Sequence, residues 1–268
     1  MTHRPKFLEN SILIAAHPDD ELLWFASILK DVDEVLLVFE DYWPDPAIGP
    51  ARAEALSRFP RNNVSSLKLP EAASYGLADW SNPILDDFGI AFTAASAARD
   101  AKQAALRLLG KSKAPAKGIR ATYESNAASL EHECRKRLKA GQNVFTHNPW
   151  GEYGHEDHIQ VFRVLDQLRD EIGFTLWISN YVTERSLPLA LRYFGHTPTQ
   201  IIERPVDKTF AEAVAQVYRD TNTWTWAEDW RWFDTERFME APRGPKAPHH
   251  QGWLMPMNLF NIDPVKAR

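Results

Sequence analysis

A strand that ends in a cluster of charged residues constrains this chain more than any other feature. Residues 11–16, SILIAA, form an apolar run that is typical of a central strand in a parallel sheet. The run stops at HPDDE, residues 17–21, because Pro18 lacks the N–H that a central strand needs. Asp19 or Asp20 can then cap a following helix. The sequence therefore predicts an imidazole and three carboxylates at the carboxyl end of a core strand, where open α/β sheets bind ligands.

This crowding of charge predicts a metal site. Several carboxylates in one turn destabilise each other unless a cation offsets their charge. A divalent metal held by His17 and one of the aspartates explains the arrangement. The alternative is a turn that only caps a helix, but a cap needs one carboxylate and no histidine.

Composition excludes several functional classes. The net charge of -5, without any dense run of Lys and Arg, argues against a nucleic-acid partner. The single cysteine, Cys134, rules out an internal disulfide framework and fits a reducing compartment. Glu9 and Asn10 interrupt the apolar stretch near the N-terminus, which leaves it too short for a signal peptide, and no run reaches transmembrane length. We therefore expect a cytoplasmic location.

Strands and helices alternate along the chain. The predicted strands are residues 11–16, 34–39, 64–69, 143–147 and 174–182. The predicted helices are residues 21–30, 51–59, 98–109, 121–140 and 207–220, with a further helix that begins at residue 155, and residues 70–97 read as a long loop. This order predicts an α/β fold with a doubly wound, mainly parallel sheet and helices on both faces. We expect residues 1–268 to form a single domain, with residues 205–268 as a Trp-rich C-terminal extension that packs on it.

A second motif, GHEDH at residues 154–158, lies in an equivalent position after a later strand. His155 and His158 are three residues apart, so a helix presents both on one face. The two loops can meet at one edge of the sheet. Two histidines and one aspartate, with an open position, make the ligand set of a catalytic zinc site. A carboxylate outside that set can act as general base, and a spare histidine can stabilise an oxyanion or protonate a leaving amine.

The alternative interpretation of the second motif is a pair of exposed histidines at a helix start, because the spacing of two histidines alone is weak evidence for a metal site. Its value comes from the pairing with HPDDE. His147 ends a strand beside this loop, and we expect it to support the site rather than to bind metal. The other histidines, which have no partner pattern, are expected at the surface or in packing: His3, His132, His196, His249 and His250.

Together the two motifs resemble the PIG-L/LmbE-like zinc deacetylases. The resemblance covers roughly residues 6–182 in element order. It implies a Rossmann-like fold and a hydrolase that removes an acyl group, usually acetyl, from N-acylated amino sugars and their conjugates, such as N-acetylglucosamine. Matched residue by residue, it implies that Zn²⁺ is bound by His17, Asp20 and His158. It further implies Asp19 as general base, His155 as the oxyanion-stabilising acid, and Glu21 as support at the helix start.

The chain departs from the family pattern on the substrate side. Members often carry glycines just after HPDDE, whereas residues 22–27 here are bulky. Members often carry an Arg and a Glu three residues apart on a later helix, whereas Arg52 and Glu54 are two apart. These departures leave the identity of the sugar undecided, but they do not affect the predicted hydrolysis.

Substrate contacts are expected from the loop that carries His155 and from an arginine on a later helix. The predicted substrate-binding residues are Trp150, Glu152, Tyr153 and Arg52. Half of the 10 tryptophans fall in residues 224–253. We favour packing for them, with Trp226 and Trp230 on one helix face, and the alternative is an aromatic wall for a sugar or nucleobase.

Arg219 and Arg231 near that segment fit a phosphate if the amino sugar is linked to a nucleotide. A lipid-linked sugar and a free sugar are the other forms of substrate. Two alternatives to the zinc hydrolase stay open: a non-haem iron enzyme with two histidines and one carboxylate, and a non-catalytic sugar- or nucleotide-binding module. A phosphate-cradling Rossmann enzyme is disfavoured because no G-x-G-x-x-G follows the first strand.

Overall fold

A seven-stranded sheet forms the centre of the part of the chain that the computed structural model describes, which is residues 4–41, 45, 47–110, 117–193, 200–242 and 257–261. Its strands are β1 (Ser11–Ala15), β2 (Glu34–Asp41), β3 (Val64–Pro70), β6 (Asn143–Thr146), β7 (Thr175–Ser179), β9 (Ile201–Pro205) and β10 (Thr235–Glu240). Two small sheets pair β4 (Leu85–Asp86) with β5 (Gly89–Ile90), and β8 (Tyr181–Val182) with β11 (Asn258–Leu259).

Eight helices surround the sheet within the same described ranges. They are α1 (Asp20–Leu23), α2 (Ala26–Leu29), α3 (Ile48–Ser57), α4 (Ala95–Leu108), α5 (Ile119–Arg137), α6 (Glu156–Ile172), α7 (Leu187–Ala190) and α8 (Lys208–Asp220). None of the helices in these ranges has the length and apolar character that a membrane crossing requires.

Both faces of the sheet are covered, as β1 illustrates. Its alternate residues point to opposite faces. Ile12 and Ile14 belong to a core shared with α5 and α6, whereas Leu13 and Ala15 belong to a core shared with α1, α2 and α8. Every residue of β1 is buried, which explains the unbroken apolar run. The predicted α/β fold, with a mainly parallel sheet between helices, is therefore confirmed.

The strand order positions the two motifs. The order is β3-β2-β1-β6-β7-β10-β9, and β1 pairs in parallel with both β2 and β6. The chain builds outward from β1 on one side, then crosses over and builds outward from β6 on the other. The carboxyl ends of β1 and β6 therefore flank the point where the direction of winding reverses, which is where ligands bind in such sheets.

The C-terminal third differs most from expectation. Strands β9 and β10 were not predicted, and β10 lies inside the sheet between β7 and β9, antiparallel to both. Residues 201–240 therefore complete the sheet rather than only pack on its outside. The sequence did not predict β10 because this strand, TERFME, carries charged residues. One of them, Glu236, is nevertheless fully buried. Its side chain accepts hydrogen bonds from Ser27 N (2.8 Å) and Tyr181 Oη (2.8 Å).

Two other elements are shorter than predicted. The helix expected over residues 21–30 is broken at Trp24 and Phe25 into α1 and α2, and both aromatic side chains are fully buried. The strand expected over residues 174–182 divides into β7 and β8, which join different sheets. Residues 70–97 are mostly loop, as expected, with the β4–β5 hairpin inside.

Candidate functional site

The turn after β1 is held by its own carboxylates. His17 N donates to Asp20 Oδ2 at 2.7 Å, and Asp19 N donates to Glu21 Oε2 at 3.0 Å. Asp19 has φ 104°, a conformation that costs energy for a residue with a side chain and tends to occur at functional sites. Contrary to the prediction, its carboxylate makes no capping hydrogen bond to α1. Glu21 instead returns to the turn, so the Asp19 side chain is available for another contact.

The loop after β6 is a compact turn that presents the second motif. Asn148 Oδ1 accepts hydrogen bonds from Trp150 N (3.2 Å) and Glu152 N (3.0 Å). Gly151 has φ 65°, and a Cβ there would lie 2.6 Å from the carbonyl oxygen of His155. Only glycine fits this position without a shift of the loop. The loop ends at His155, whose Nδ1 accepts from Asp157 N at 3.1 Å and so caps α6.

These two loops bring three imidazoles and a carboxylate together. The ring centroid of His17 lies 4.8 Å from that of His155 and 5.5 Å from that of His158. Asp20 Oδ2 lies 3.1 Å from His17 Nδ1 and 3.2 Å from His158 Nε2. All four residues are buried. Among the described residues, two sets have ligand atoms within 4.8 Å of one another: His17, His155, His158 and Asp20, His147, His158.

Glu152 fixes two of the histidines rather than facing a substrate. It is fully buried, and its Oε2 lies 2.7 Å from His158 Nδ1 and 3.0 Å from His147 Nδ1. Burial by itself raises the pKa of Glu152, but its interactions with His147 and His158 outweigh it and lower that pKa to about 2. A charged Glu152 accepts a proton-bearing Nδ1, so the Nε2 of His158 points toward Asp20. That Nε2 is buried and has no hydrogen-bond partner among the described residues.

His147 is engaged on both ring nitrogens. Its Nε2 accepts from Ala16 N at 2.8 Å, and its Nδ1 faces Glu152. Burial, followed by the charge of His158, lowers the pKa of His147, which keeps the ring neutral. The ring thus ties the end of β1 to the loop after β6.

His155 is prepared to donate a hydrogen bond. Because its Nδ1 accepts from Asp157 N, the neutral ring carries its proton on Nε2. Burial, then the charges of His158 and His17, hold the pKa of His155 well below its usual value, so this neutral form dominates. An Nε2–H donor in a buried site suits the stabilisation of a developing oxyanion.

The cluster as a whole attracts positive charge. Burial lowers the pKa of His17, but hydrogen bonds with Asp157 and Asp20 outweigh it and raise that pKa to about 10. For His158, burial is likewise outweighed by the charge of Asp20, and the pKa rises to about 9. The same neighbours hold the pKa of Asp20 well below its usual range, although burial opposes this. A proton or a metal cation can meet this demand.

Asp19 has a different partner. Its Oδ2 accepts from Thr225 Oγ1 at 2.6 Å, and burial together with the charge of Asp20 raises the pKa of Asp19 to about 7. A carboxyl group that titrates near neutrality is suited to accept and return a proton. Sequence reasoning missed Thr225, since nothing in its local pattern links it to a turn 206 residues earlier.

Two further acidic residues were also missed. Asp157 Oδ2 lies 3.3 Å from His17 Nε2, and its Oδ1 accepts from Ser74 Oγ at 2.7 Å. Glu71 Oε1 lies 3.8 Å from the same nitrogen and 3.1 Å from Arg52 Nη1. Asp157 stands inside the GHEDH motif, and that position was its only signal. Arg52 is buried, and it also donates to the carbonyl oxygen of Glu40.

The remaining predicted substrate contacts separate into one core residue and one residue at the rim. Trp150 is fully buried, and its indole donates to Tyr181 O at 2.7 Å, so we correct it to a packing residue. Tyr153 is half-buried, with its ring centroid 5.5 Å from that of His155 and 5.1 Å from that of Trp226. Tyr75, which was not predicted, stacks on His155 at 4.9 Å.

The Trp-rich segment is not helical over residues 224–232, so the predicted helix face was wrong. Its residues nevertheless pack, because the rings of Trp226 and Trp230 lie 5.2 and 5.8 Å from the buried ring of Trp24.

Arg219 pairs with Glu212 and Glu228. Trp253 and the histidines at positions 3, 196, 249 and 250 lie outside the described residues, and His132 is exposed.

Comparisons with known proteins give only distant likenesses. No protein-family model matches the chain, and no curated protein matches it. Among solved structures, it is similar to a deacetylase from the biosynthesis pathway of teicoplanin, with 16% identity, a TM-score of 0.40, and coverage of 80% of this chain and 85% of that one. It is also similar to the A40926 pseudoaglycone deacetylase Dbv21, with 15% identity, a TM-score of 0.37, and coverage of 87% and 97%. Because both TM-scores are below 0.5, the function of this chain has to be argued from its own residues.

Proposed function

We propose that this chain is a zinc-dependent hydrolase that removes an N-acyl group, in the first place acetyl, from an amino sugar or its conjugate. The observation that carries the proposal is the buried Nε2 of His158, which lies 3.2 Å from Asp20 Oδ2 but makes no hydrogen bond with any described residue. A positive charge has to offset the Asp20 carboxylate here, and a zinc ion can replace the proton that His158, with a pKa of about 9, otherwise carries.

Two of the three spacings in the set His17, Asp20 and His158 are close to those between zinc ligands. Ligands bonded to zinc at about 2.0–2.2 Å with tetrahedral angles lie roughly 3.3–3.6 Å apart. The separations of Asp20 Oδ2 from His17 Nδ1 and His158 Nε2 are 3.1 and 3.2 Å. This set is not one of those whose ligand atoms all lie within 4.8 Å of one another, so zinc binding would have to draw the two imidazoles together around Asp20. The outer nitrogen of each histidine already faces a carboxylate, Asp157 for His17 and Glu152 for His158. Such carboxylate–histidine pairs are typical around metal ligands.

Hydrogen bonding disfavours the other two histidines as ligands. His155 carries its proton on Nε2, since Nδ1 accepts from Asp157 N. His147 uses its Nε2 to accept from Ala16 N. The ligand set that remains is His17, Asp20 and His158, which leaves room for further ligands as catalytic zinc sites do.

Hydrolysis is supported by the groups that stand beside this set. Zinc, when bound, would supply Lewis acidity that activates water and polarises the scissile carbonyl. Asp19 takes a proton from the attacking water as the new C–O bond forms. His155 Nε2–H donates to the carbonyl oxygen as it becomes negative. The C–N bond then breaks, the amine receives from Asp19 the proton that was taken from water, and acetate leaves.

The two alternative functions explain fewer residues. A non-haem iron centre needs two histidines and one carboxylate, and open positions for oxygen. Such a centre leaves Asp19 without a role, although this second carboxylate beside the proposed ligands has a pKa of about 7. A binding module gives no task to the prepared donor on His155. We therefore favour hydrolysis over both.

The rim supports a sugar-like substrate. Tyr75 and Tyr153 present half-buried aromatic rings next to His155, and the half-buried ring of Trp226 packs on Tyr153. Aromatic faces pack well against the C–H faces of a sugar ring. We propose Tyr153 as a substrate contact, with Arg52 and Glu71 bordering the floor. The amino sugar would be free, nucleotide-linked or lipid-linked.

The test is acetate release from a panel of N-acetylated amino sugars, free and nucleotide-linked, with zinc-loaded protein. We expect release from at least one member, and release about 10²- to 10⁴-fold slower from the Asp19→Asn variant at equal zinc content. Turnover that requires iron and oxygen would favour the iron enzyme. Binding of panel members without any release would favour the binding module.

A further inference from the structure

The segment that carries the tryptophans reaches into the proposed catalytic turn at one point. Thr225 Oγ1 donates to Asp19 Oδ2 at 2.6 Å, and Thr225 N lies 3.4 Å from the same oxygen. Asp19 is buried, and no other described residue donates to its carboxylate. The orientation of that carboxylate therefore depends on Thr225.

We propose that Thr225 is a positioning residue that orients the Asp19 carboxylate for proton transfer. This inference rests on the proposed function, because it gives Asp19 the task of general base. Thr225 engages Oδ2 and leaves Oδ1 for the proton that is taken from water. Without the hydroxyl, the carboxylate can rotate about its Cβ–Cγ bond, and fewer molecules hold a productive geometry at any moment.

The segment around Thr225 is anchored to the same turn on both sides. Before it, Tyr218 Oη donates to Glu21 Oε1 at 2.6 Å. After it, Trp232 Nε1 donates to Leu22 O at 2.9 Å. Trp226, the residue that follows Thr225, packs against the buried ring of Trp24. Thr225 is thus held in place by contacts that do not depend on Asp19, which is what a positioning group requires.

The experiment compares three variants in the zinc-loaded protein. Thr225→Val removes the hydroxyl and keeps the shape of the side chain. Thr225→Ser keeps the hydroxyl. Thr223→Val is the matched control, because Thr223 is a buried threonine of the same segment whose hydroxyl contacts Thr221 Oγ1 and Tyr218 O instead of the site.

For Thr225→Val we expect kcat for acetate release to fall about 10- to 100-fold, the range for loss of a supporting contact at a metal site. KM and zinc content should stay within about twofold of the wild-type values. Thr225→Ser should recover most of kcat, and Thr223→Val should keep it. Wild-type kcat in Thr225→Val, or equal loss in Thr225→Ser and Thr225→Val, would overturn the proposal.

A second readout does not require turnover. The urea midpoints of Asp19→Ala, Thr225→Val and the double variant test whether the two side chains interact. We expect the midpoint shift of the double variant to differ from the sum of the single shifts, and additive shifts would overturn the contact. If the midpoints are non-additive but the wild-type protein releases no acetate from any substrate, the proposed function fails and the contact stands without a catalytic role.

Discussion

His155 and His158 each have one ring nitrogen bound to a neighbour, and this contact decides what the other nitrogen can do. Glu152 takes the Nδ1 of His158, which leaves Nε2 for a cation. The amide of Asp157 takes the Nδ1 of His155, which makes Nε2 a donor. Two histidines three residues apart thus receive opposite roles from their hydrogen bonds, which sequence spacing does not show.

The first prediction concerns metal retention. His158→Ala should abolish stoichiometric zinc binding, because it removes the nitrogen that faces Asp20. Glu152→Gln should weaken zinc binding by about 10- to 100-fold, the usual cost of losing the partner of a metal-bound histidine. Metal analysis after dialysis gives both results, with the exposed His132→Ala as control. Full zinc content in His158→Ala would contradict the ligand assignment.

The second prediction separates the two adjacent aspartates. Asp19→Asn should retain zinc and lose about 10²- to 10⁴-fold in kcat, as expected for removal of a general base. Asp20→Asn should lose zinc, since Asp20 Oδ2 faces both of the proposed ligand histidines, His17 and His158. Zinc content and kcat are measured on the same samples. Loss of zinc from Asp19→Asn and its retention in Asp20→Asn would reverse the two roles.

The meeting of the two motifs could be predicted from the sequence, because a strand end and a helix start fix their positions, although the contact of Asp157 with His17 could not. Three other assignments needed the structure. Glu152 was expected at the substrate but lies behind two imidazoles, and Trp150 lies in the core. Thr225 comes from the far end of the chain, where no periodic pattern identifies it.

At the scale of elements, the loop between β6 and α6 determines where the second motif lies. Its path depends on Gly151, whose conformation and close approach to His155 O leave no space for a side chain. The turn after β1 depends on hydrogen bonds within HPDDE instead. The two loops therefore bring their histidines to the same edge of the sheet, one through a glycine conformation and the other through hydrogen bonds of its own side chains.

The third prediction tests this loop. Gly151→Ala should lower the free energy of unfolding by more than the ~1–2 kcal/mol that a left-handed conformation costs an alanine, because its Cβ also meets His155 O. Gly141→Ala is the matched control, since Gly141 has φ 76° and a Cβ there would meet no described atom within 4 Å. Urea unfolding of both variants measures the difference. Equal losses would show that the close approach does not matter.

The alternation of strands and helices could be predicted because the parallel strands are buried on both faces and read as apolar runs. Strands β9 and β10 could not, since they pair antiparallel at one side of the sheet and carry charged side chains. The buried Glu236 is matched by Ser27 and Tyr181, which are distant in sequence. A local pattern cannot reveal such compensation.

At the scale of the molecule, the reversal of winding between β1 and β6 unites loops that are more than a hundred residues apart. The C-terminal residues then contribute β10 to the sheet and Thr225 to the site. Metal binding should therefore stabilise the folded chain as a whole, because its ligands come together only in the fold.

The fourth prediction uses Cys134 as a reporter of that stability. The thiol is buried in α5, and burial raises its pKa to about 12. The folded protein should therefore react with thiol reagents only after local or global unfolding exposes Cys134. Zinc should slow the reaction in the wild-type protein and leave the rate unchanged in His158→Ala. A rate that zinc does not alter in the wild-type protein would contradict coupling between the site and the fold.

The most direct measurement is the rate of acetate release as zinc is added to metal-free protein in the presence of an N-acetylated amino sugar. If His17, Asp20 and His158 hold one catalytic ion, the rate should rise from near zero and level off at one zinc per chain. In the same titration, Asp19→Asn should bind one zinc per chain and release acetate about 10²- to 10⁴-fold more slowly. Release that is undiminished in metal-free protein, or absent at every zinc level with every substrate in the panel, would contradict a zinc-dependent deacetylase.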